Sequence, residues 1–207
     1  MNTWNKRRLA LIAGFSYLAI FFLAIFANFF ALEAMIQNPL ETISENGHIV
    51  RLGVIAFILA AVFDTVVSLA FYHLYPDHPL TLSSFCFRII HAVMMAIGTF
   101  AMFMTLYQKT SEGILYQIEI FNTIWLIGLF FFGIHLILLA RILRIPKLIS
   151  IFLSLAGLVY ILDTTLHIIL QNYKLYEDLF LAMVAIPSIL GEMSLSVWLL
   201  WKGGKEA

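Results

Sequence analysis

Charge is scarce in this chain: twelve Lys and Arg and twelve Asp and Glu among 207 residues, or 12% against 62% hydrophobic. Soluble domains carry about twice that share of charged side chains, so an aqueous globule is excluded and a bilayer is the fitting solvent. The two signs balance to a formal net charge of zero. Nucleic-acid binding, which needs a basic face, is therefore not expected. A single cysteine, Cys86, excludes an intrachain disulfide, and its place in an apolar run disfavours a reactive thiolate. The chain also lacks a Gly-rich phosphate loop and a His pair with an acidic neighbour on one helix, so neither a nucleotide site nor a familiar metal hydrolase is expected. No cofactor and no metal site are expected.

What the chain has in abundance is long hydrophobic runs. Six cover enough residues to cross about 30 Å of hydrocarbon as helices: Leu9 to Leu32, Leu52 to Tyr75, Leu80 to Tyr107, Ile120 to Ala140, Leu148 to Gln171 and Leu179 to Trp201. The runs are continuously apolar and lack the alternation of transmembrane strands, and a helix satisfies its own backbone groups in lipid. The fold class is therefore all-α, a polytopic bundle of six transmembrane helices forming a single domain over residues 1–207. The first run is too long for a cleaved secretory signal and leads straight into further spans.

Orientation follows from the basic residues. Eight of them fall on one side: Lys6, Arg7, Arg8, Arg141, Arg144, Lys147, Lys202 and Lys205. Only Arg51, Lys109 and Lys174 fall on the other, and Arg88 lies inside span three. The positive-inside bias places both termini in the cytoplasm, and the cell membrane is the expected location. Trp4, Tyr75, Tyr107, Tyr116, Tyr173, Tyr176, Trp198 and Trp201 fall near span borders and are expected to anchor there. Glu41, Glu45, Glu112 and Glu177 lie mostly in outer loops. The segment Gln37 to Val50, with Pro39 and Asn46-Gly47 as turn signals, reads as the one long loop, able to cap the outer face. Pro187 lies inside span six, five residues before Glu192, where it frees a backbone carbonyl and should bend the helix.

Against this apolar background the intramembrane charges stand out: Asp64 in span two, Arg88 in span three and Glu192 in span six. Such residues are costly in hydrocarbon and face a protein interior or an aqueous cavity, where they find partners. Counted at about 1.5 Å per residue from the basic side, Arg88 lies ~12 Å deep, Glu192 ~15 Å, and Asp64 and His91 ~17 Å. His135 falls at ~9 Å, Asp163 at ~24 Å and His167 at ~30 Å. The candidate ligand- or proton-binding group is therefore Asp64, Arg88, His91 and Glu192, with His135, Asp163 and His167 as secondary candidates. Arg88 should pair with Glu192 or Asp64, because an unpaired guanidinium at that depth is too costly. Asp163 and His167 have a spacing able to hold a metal, but no third ligand is evident at their height. A division into two halves of three spans would put Asp64-Thr65 and Asp163-Thr164 on equivalent helices, though only a dipeptide matches.

Several segments carry a family resemblance: VRLGVIAF from Val50, FCFRIIHA from Phe85, GLFFFGIHLILLARIL from Gly128, LSLAGLVYILDT from Leu153 and PSILGEMSLSVWLLWKG from Pro187. Together they resemble the bacterial membrane family catalogued as domain of unknown function 4386. The resemblance implies that Arg51, Asp64, Arg88, His135, Asp163 and Glu192 fall on polar positions of the family pattern, and Gly133, Gly157 and Gly191 on small ones. It implies no activity.

Three functions fit the residues. The first is binding or transport of a small polar or anionic solute, or of a proton, with Arg88 as counter-ion and Asp64 or Glu192 as proton-linked groups. The second is an intramembrane hydrolase or transferase acting on lipid, for which no nucleophile motif is visible. The third is a structural or sensory subunit, in which the charges only hold helices together. Three carboxylates, Asp64, Asp163 and Glu192, face one obligate cation, so at least one needs a proton, a histidine or a bound cation. Membrane lipids are the expected partners, and a small-molecule ligand and self-association both remain open.

Overall fold

The computed structural model describes residues 5–205, without the side chains of residues 177 and 178. The anchor expected at Trp4 lies outside the described residues, as does the side chain of the acid Glu177. Six long apolar helices follow one another, and no strand occurs among the described residues. They are α1 (Lys6–Gln37), α2 (Pro39–Leu74), α3 (Thr81–Tyr107), α4 (Ser111–Ile142), α5 (Lys147–Ile169) and α6 (Leu179–Trp201). Each is long and apolar enough to cross a bilayer, which makes the chain a multi-pass membrane protein.

Local sequence explains the helix ends. Asn5 Oδ1 caps α1 by accepting from the Arg7 and Arg8 amides, and Thr110 caps α4 through the Gly113 amide. Pro76 and Pro79 fall in the turn between α2 and α3, as their restricted backbones require. The segment Gln37 to Val50 corrects an expectation, because it is helical rather than a loop. Pro39 sits at the first helical position, where its missing N–H costs nothing, and α2 runs from it to Leu74. The Asn46-Gly47 turn signal survives only as a kink, with Asn46 at φ −119° and ψ 24°. This leading stretch is tied back to the end of α1, with Thr42 Oγ1 donating to the Ala34 carbonyl at 2.9 Å.

Each helix packs on its sequence neighbours, and α6 returns to α1, so the six form a closed ring. Small residues allow the closest approaches, as they do generally between helices in lipid. A Cβ on Gly133 of α4 would lie 2.5 Å from the Gly157 carbonyl oxygen of α5, and one on Gly191 of α6 would lie 3.1 Å from the α5 backbone at Leu153. At the end carrying both termini, Gly14 of α1 meets Leu200 of α6 in the same way, and Ser196 Oγ donates to the Gly14 carbonyl at 2.9 Å. Arg7 then closes the seam by donating to the last carbonyls of α6, those of Leu199, Leu200 and Gly203. A cation suits that position, where carbonyls point out of the helix unpaired.

Two large apolar cores and a small cluster of Ala60, Ala61 and Met95 fill the ring. The core at the terminal end draws on α1, α2, α4, α5 and α6, with Tyr17, Phe71, Leu136, Leu139, Leu153, Leu195 and Leu199 among its members. The core at the far end contains residues of α1 to α4 only, including Met35, Phe57, Met102, Ile114 and Phe121. In that far half the Glu177–Ser188 segment leading into α6 packs on α5 and leaves α1.

Candidate functional site

Arg88 is buried at the centre of the ring and binds four helices together. Its Nη2 donates to Asp64 Oδ1 of α2 at 2.5 Å, and its Nη1 donates to the Tyr17 hydroxyl of α1 at 2.5 Å and to His135 Nε2 of α4 at 3.1 Å. The guanidinium plane also lies over ring faces, 4.7 Å from the centroid of Tyr17 and 5.2 Å from that of Phe132. Aromatic faces carry negative charge density, so they replace part of the hydration the guanidinium loses. Asp64, the partner the guanidinium needs at this depth, neutralises it. Glu192, the alternative partner, forms neither an ion pair nor a hydrogen bond among the described residues.

The network is incomplete on one side. Among the described residues Asp64 Oδ2 and Arg88 Nε are buried without a hydrogen-bond partner, and His91 Nε2 stands 3.7 Å from Asp64 Oδ2, too far for a good hydrogen bond. Buried polar atoms are nearly always satisfied, so two orphans in one place mark a specialised position. They adjoin a cavity of ≈190 Å³, to which every helix contributes. Tyr17, Asp64, Arg88, His91 and Glu192 form its polar part, while Phe21, Trp125, Phe132 and Tyr160 give it aromatic walls. All four primary candidates thus share one cavity.

A backbone irregularity shapes one flank of this cavity. Beyond Pro187 the last helix passes into a wide π-helical turn over Ile189–Met193, which carries Glu192, before regular helix resumes at Ser194. The expected bend is therefore a widened turn that accommodates the proline's missing donor. A second π-helical stretch, Ala27–Leu32, interrupts α1 in the far half. Such turns concentrate at functional sites, where they re-aim a side chain without ending the helix. Ile189 and Ala24 both line the cavity, which lies where α1 and the far half of α6 part.

The secondary candidates separate. His135, expected below the site, touches Arg88 directly, and its Nδ1 lies 2.9 Å from both the carbonyl and the hydroxyl of Ser84. Because Nε2 accepts from Arg88, the ring proton belongs on Nδ1, facing Ser84. Asp163 and His167 lie elsewhere: Asp163 Oδ1 accepts from the Tyr173 hydroxyl at 2.5 Å, and the His167 and Tyr173 rings are 4.2 Å apart. No group of three or more potential metal ligands occurs among the described residues. Tyr173, expected as an interfacial anchor, is buried and stacks on Phe180 instead. Tyr107, Tyr116, Tyr176 and Trp201 keep exposed rings, as anchors should. The two Asp-Thr dipeptides play different parts, since Thr65 bonds within its own helix and Thr164 bonds across to the Leu126 carbonyl.

Sequence reasoning missed Tyr17, Trp125 and Tyr160. For Tyr17 a signal existed: a phenol eight residues into span one lies ~12 Å deep, level with Arg88, and a buried hydroxyl there needs a partner. Trp125 and Tyr160 carried no comparable signal, because aromatic residues in apolar runs are usually packing.

No curated protein and no solved structure matches the chain. The family expected from the sequence does match, over residues 12–203: the chain belongs to the family described as Domain of unknown function (DUF4386).

Proposed function

We propose that this protein binds a small solute in its central cavity and carries it within or across the cell membrane, exchanging a proton at Glu192 or Asp64. The observation supporting this most is a carboxylate without a protein partner, Glu192, on the wall of a cavity built by all six helices. An intramembrane carboxylate without a partner is costly, so a proton or a ligand must meet it. Arg88 serves the bundle: its Nη donors are committed to Tyr17, Asp64 and His135. The excess of basic residues at the terminal end orients that end toward the cytoplasm.

An intramembrane hydrolase is the weaker reading. Ser84 and His135 make a buried serine–imidazole contact at 2.9 Å, but the imidazole lone pair is taken by Arg88 and its proton already faces Ser84. A base for the serine is thus lacking. Ser188, on the cavity wall, has its hydroxyl proton committed to the Val184 carbonyl at 2.7 Å.

The test joins binding to topology and flux. Purified protein is melted in detergent across a panel of solutes, and proteoliposomes with an internal pH dye report proton movement when a stabilising solute is added. Solute-dependent stabilisation with proton flux, both altered in Glu192→Gln, is the expected result. Reporter fusions at His78 and Pro146 should read cytoplasmic and those at Lys109 and Lys174 external. Absence of both stabilisation and flux across the panel would leave a scaffold or sensory subunit.

A further inference from the structure

The cavity's chemistry narrows the solute. We infer that it selects a small organic cation, an ammonium with an apolar or aromatic body, seating its charge between Glu192 and the free Asp64 oxygen and its body against Phe21, Trp125 and Tyr160. This rests on the proposed reading of the cavity as a solute site.

Charge balance comes first. Arg88 and Asp64 neutralise each other, so an ionised Glu192 leaves the cavity with one surplus negative charge. An anionic solute would add a further negative charge beside two carboxylates, and three of the five guanidinium N–H donors are already committed to Tyr17, His135 and Asp64. A cation removes the surplus. The acceptor side supports the same choice, since Asp64 Oδ2 is almost wholly buried, lacks a hydrogen-bond partner and belongs to a residue lining the cavity.

The walls favour an organic cation over a metal ion. Hard cations need several oxygen ligands, and apart from the polar cluster the lining consists mostly of aromatic and apolar side chains. Ring faces do stabilise organic cations, and this cavity already does so once, with Arg88 over Tyr17 and Phe132.

Proton and cation compete for one carboxylate. The groups facing Glu192 are Tyr17 from α1, Asp64 from α2, Arg88 and His91 from α3, and Tyr160 from α5, with His135 of α4 behind Arg88. Acidification adds protons to this set and should expel the cation.

The test uses three probes of similar size on the full chain in detergent, with binding read by calorimetry. They are benzyltrimethylammonium, its uncharged analogue neopentylbenzene, and benzenesulfonate. The ammonium should bind about ten-fold more tightly near pH 8 than near pH 5, and Glu192→Gln should lose about ten-fold in affinity together with the pH dependence. Neopentylbenzene should respond to neither change. Glu192→Asp, which keeps the charge but withdraws it by one methylene, should bind with intermediate affinity and gives an independent reading if Glu192→Gln does not fold. Benzenesulfonate binding as well as or better than the ammonium would overturn the cation and leave the solute site standing. Ammonium binding that ignores both pH and residue 192 would overturn it as well. Binding of none of the three would remove this inference, and failure of the broader solute panel would remove the site itself.

Discussion

The two ends of the bundle treat the last helix differently. At the terminal end α6 is part of the core: Leu195 and Leu199 are fully buried, Gly14 admits Leu200, Ser196 bonds to α1, and Arg7 holds the final carbonyls. At the far end the core contains only α1 to α4, and the outer half of α6 presents Leu179, Leu181 and Ile186 to the surroundings. The cavity lies between these regimes, where a π-helical turn in α6 follows Pro187. A ring of helices can thus be closed at one end through small residues while at the other its last helix stays outside the apolar core, with the charged cluster at the transition.

The comparison can be broken most severely at the clamp that both ends share. Asp64→Asn should leave the Arg88 guanidinium buried without its counter-ion, costing about 3–5 kcal/mol, and Arg88→Met should strand Asp64 similarly. The double variant Asp64→Leu with Arg88→Met should recover much of that stability, because no unpaired charge remains. Melting of all three in detergent measures this, and single variants melting within a few degrees of wild type would remove the clamp.

A smaller effect is expected at the seal. On Gly14 a Cβ would lie 2.8 Å from Leu200 Cγ and 3.2 Å from the Ser196 carbonyl oxygen, so Gly14→Val should cost about 1–3 kcal/mol through overpacking. If the seal and the cavity are separate devices, ligand stabilisation should persist in this variant at a lower melting temperature. Loss of both together would show that the closed end sets the shape of the open one.

Pro187→Ala acts on the open end alone. Restoring the missing amide should favour regular helix over the π-helical turn, and a proline inside a helix costs up to about 3 kcal/mol relative to alanine, much of it already absorbed by the widened turn. The expected outcome is a melting temperature equal to or above wild type with weaker solute binding, because Glu192 turns away from the cavity. Unchanged binding would show that the turn does not set the aim of Glu192.

The mildest change is Glu192→Gln. With no partner to lose, it should shift stability by less than about 1 kcal/mol, in contrast with Asp64→Asn. A drop as large as that of Asp64→Asn would make Glu192 part of the clamp and erase the distinction between holding and binding residues.

Much of this was legible in the chain. Apolar run length placed the cores of the six spans, because a helix must cross a fixed thickness of hydrocarbon. Counting residues brought Asp64, Arg88, His91 and Glu192 to similar depths, and they do share a cavity. The stretch after Pro39 was misread because Pro and Asn-Gly mark turns in isolation, yet Pro39 at the helix start and one kinked residue at Asn46 keep α2 continuous. Tyr173 was misread as an anchor because a position near a border does not reveal an acid within reach.

Sequence alone determined the solvent, the helix count, the family and the rough height of each buried charge, since all four follow from composition, run length or residue pattern along one chain. Tertiary structure decided which charges meet. Asp64 and Glu192 are equally plausible partners for Arg88 by height, and only the azimuth of each helix in the ring gives the bond to Asp64 and leaves Glu192 facing the cavity. Azimuth is set by packing, through contacts such as Gly14 with Leu200 and Gly133 with Gly157, between residues far apart in the chain.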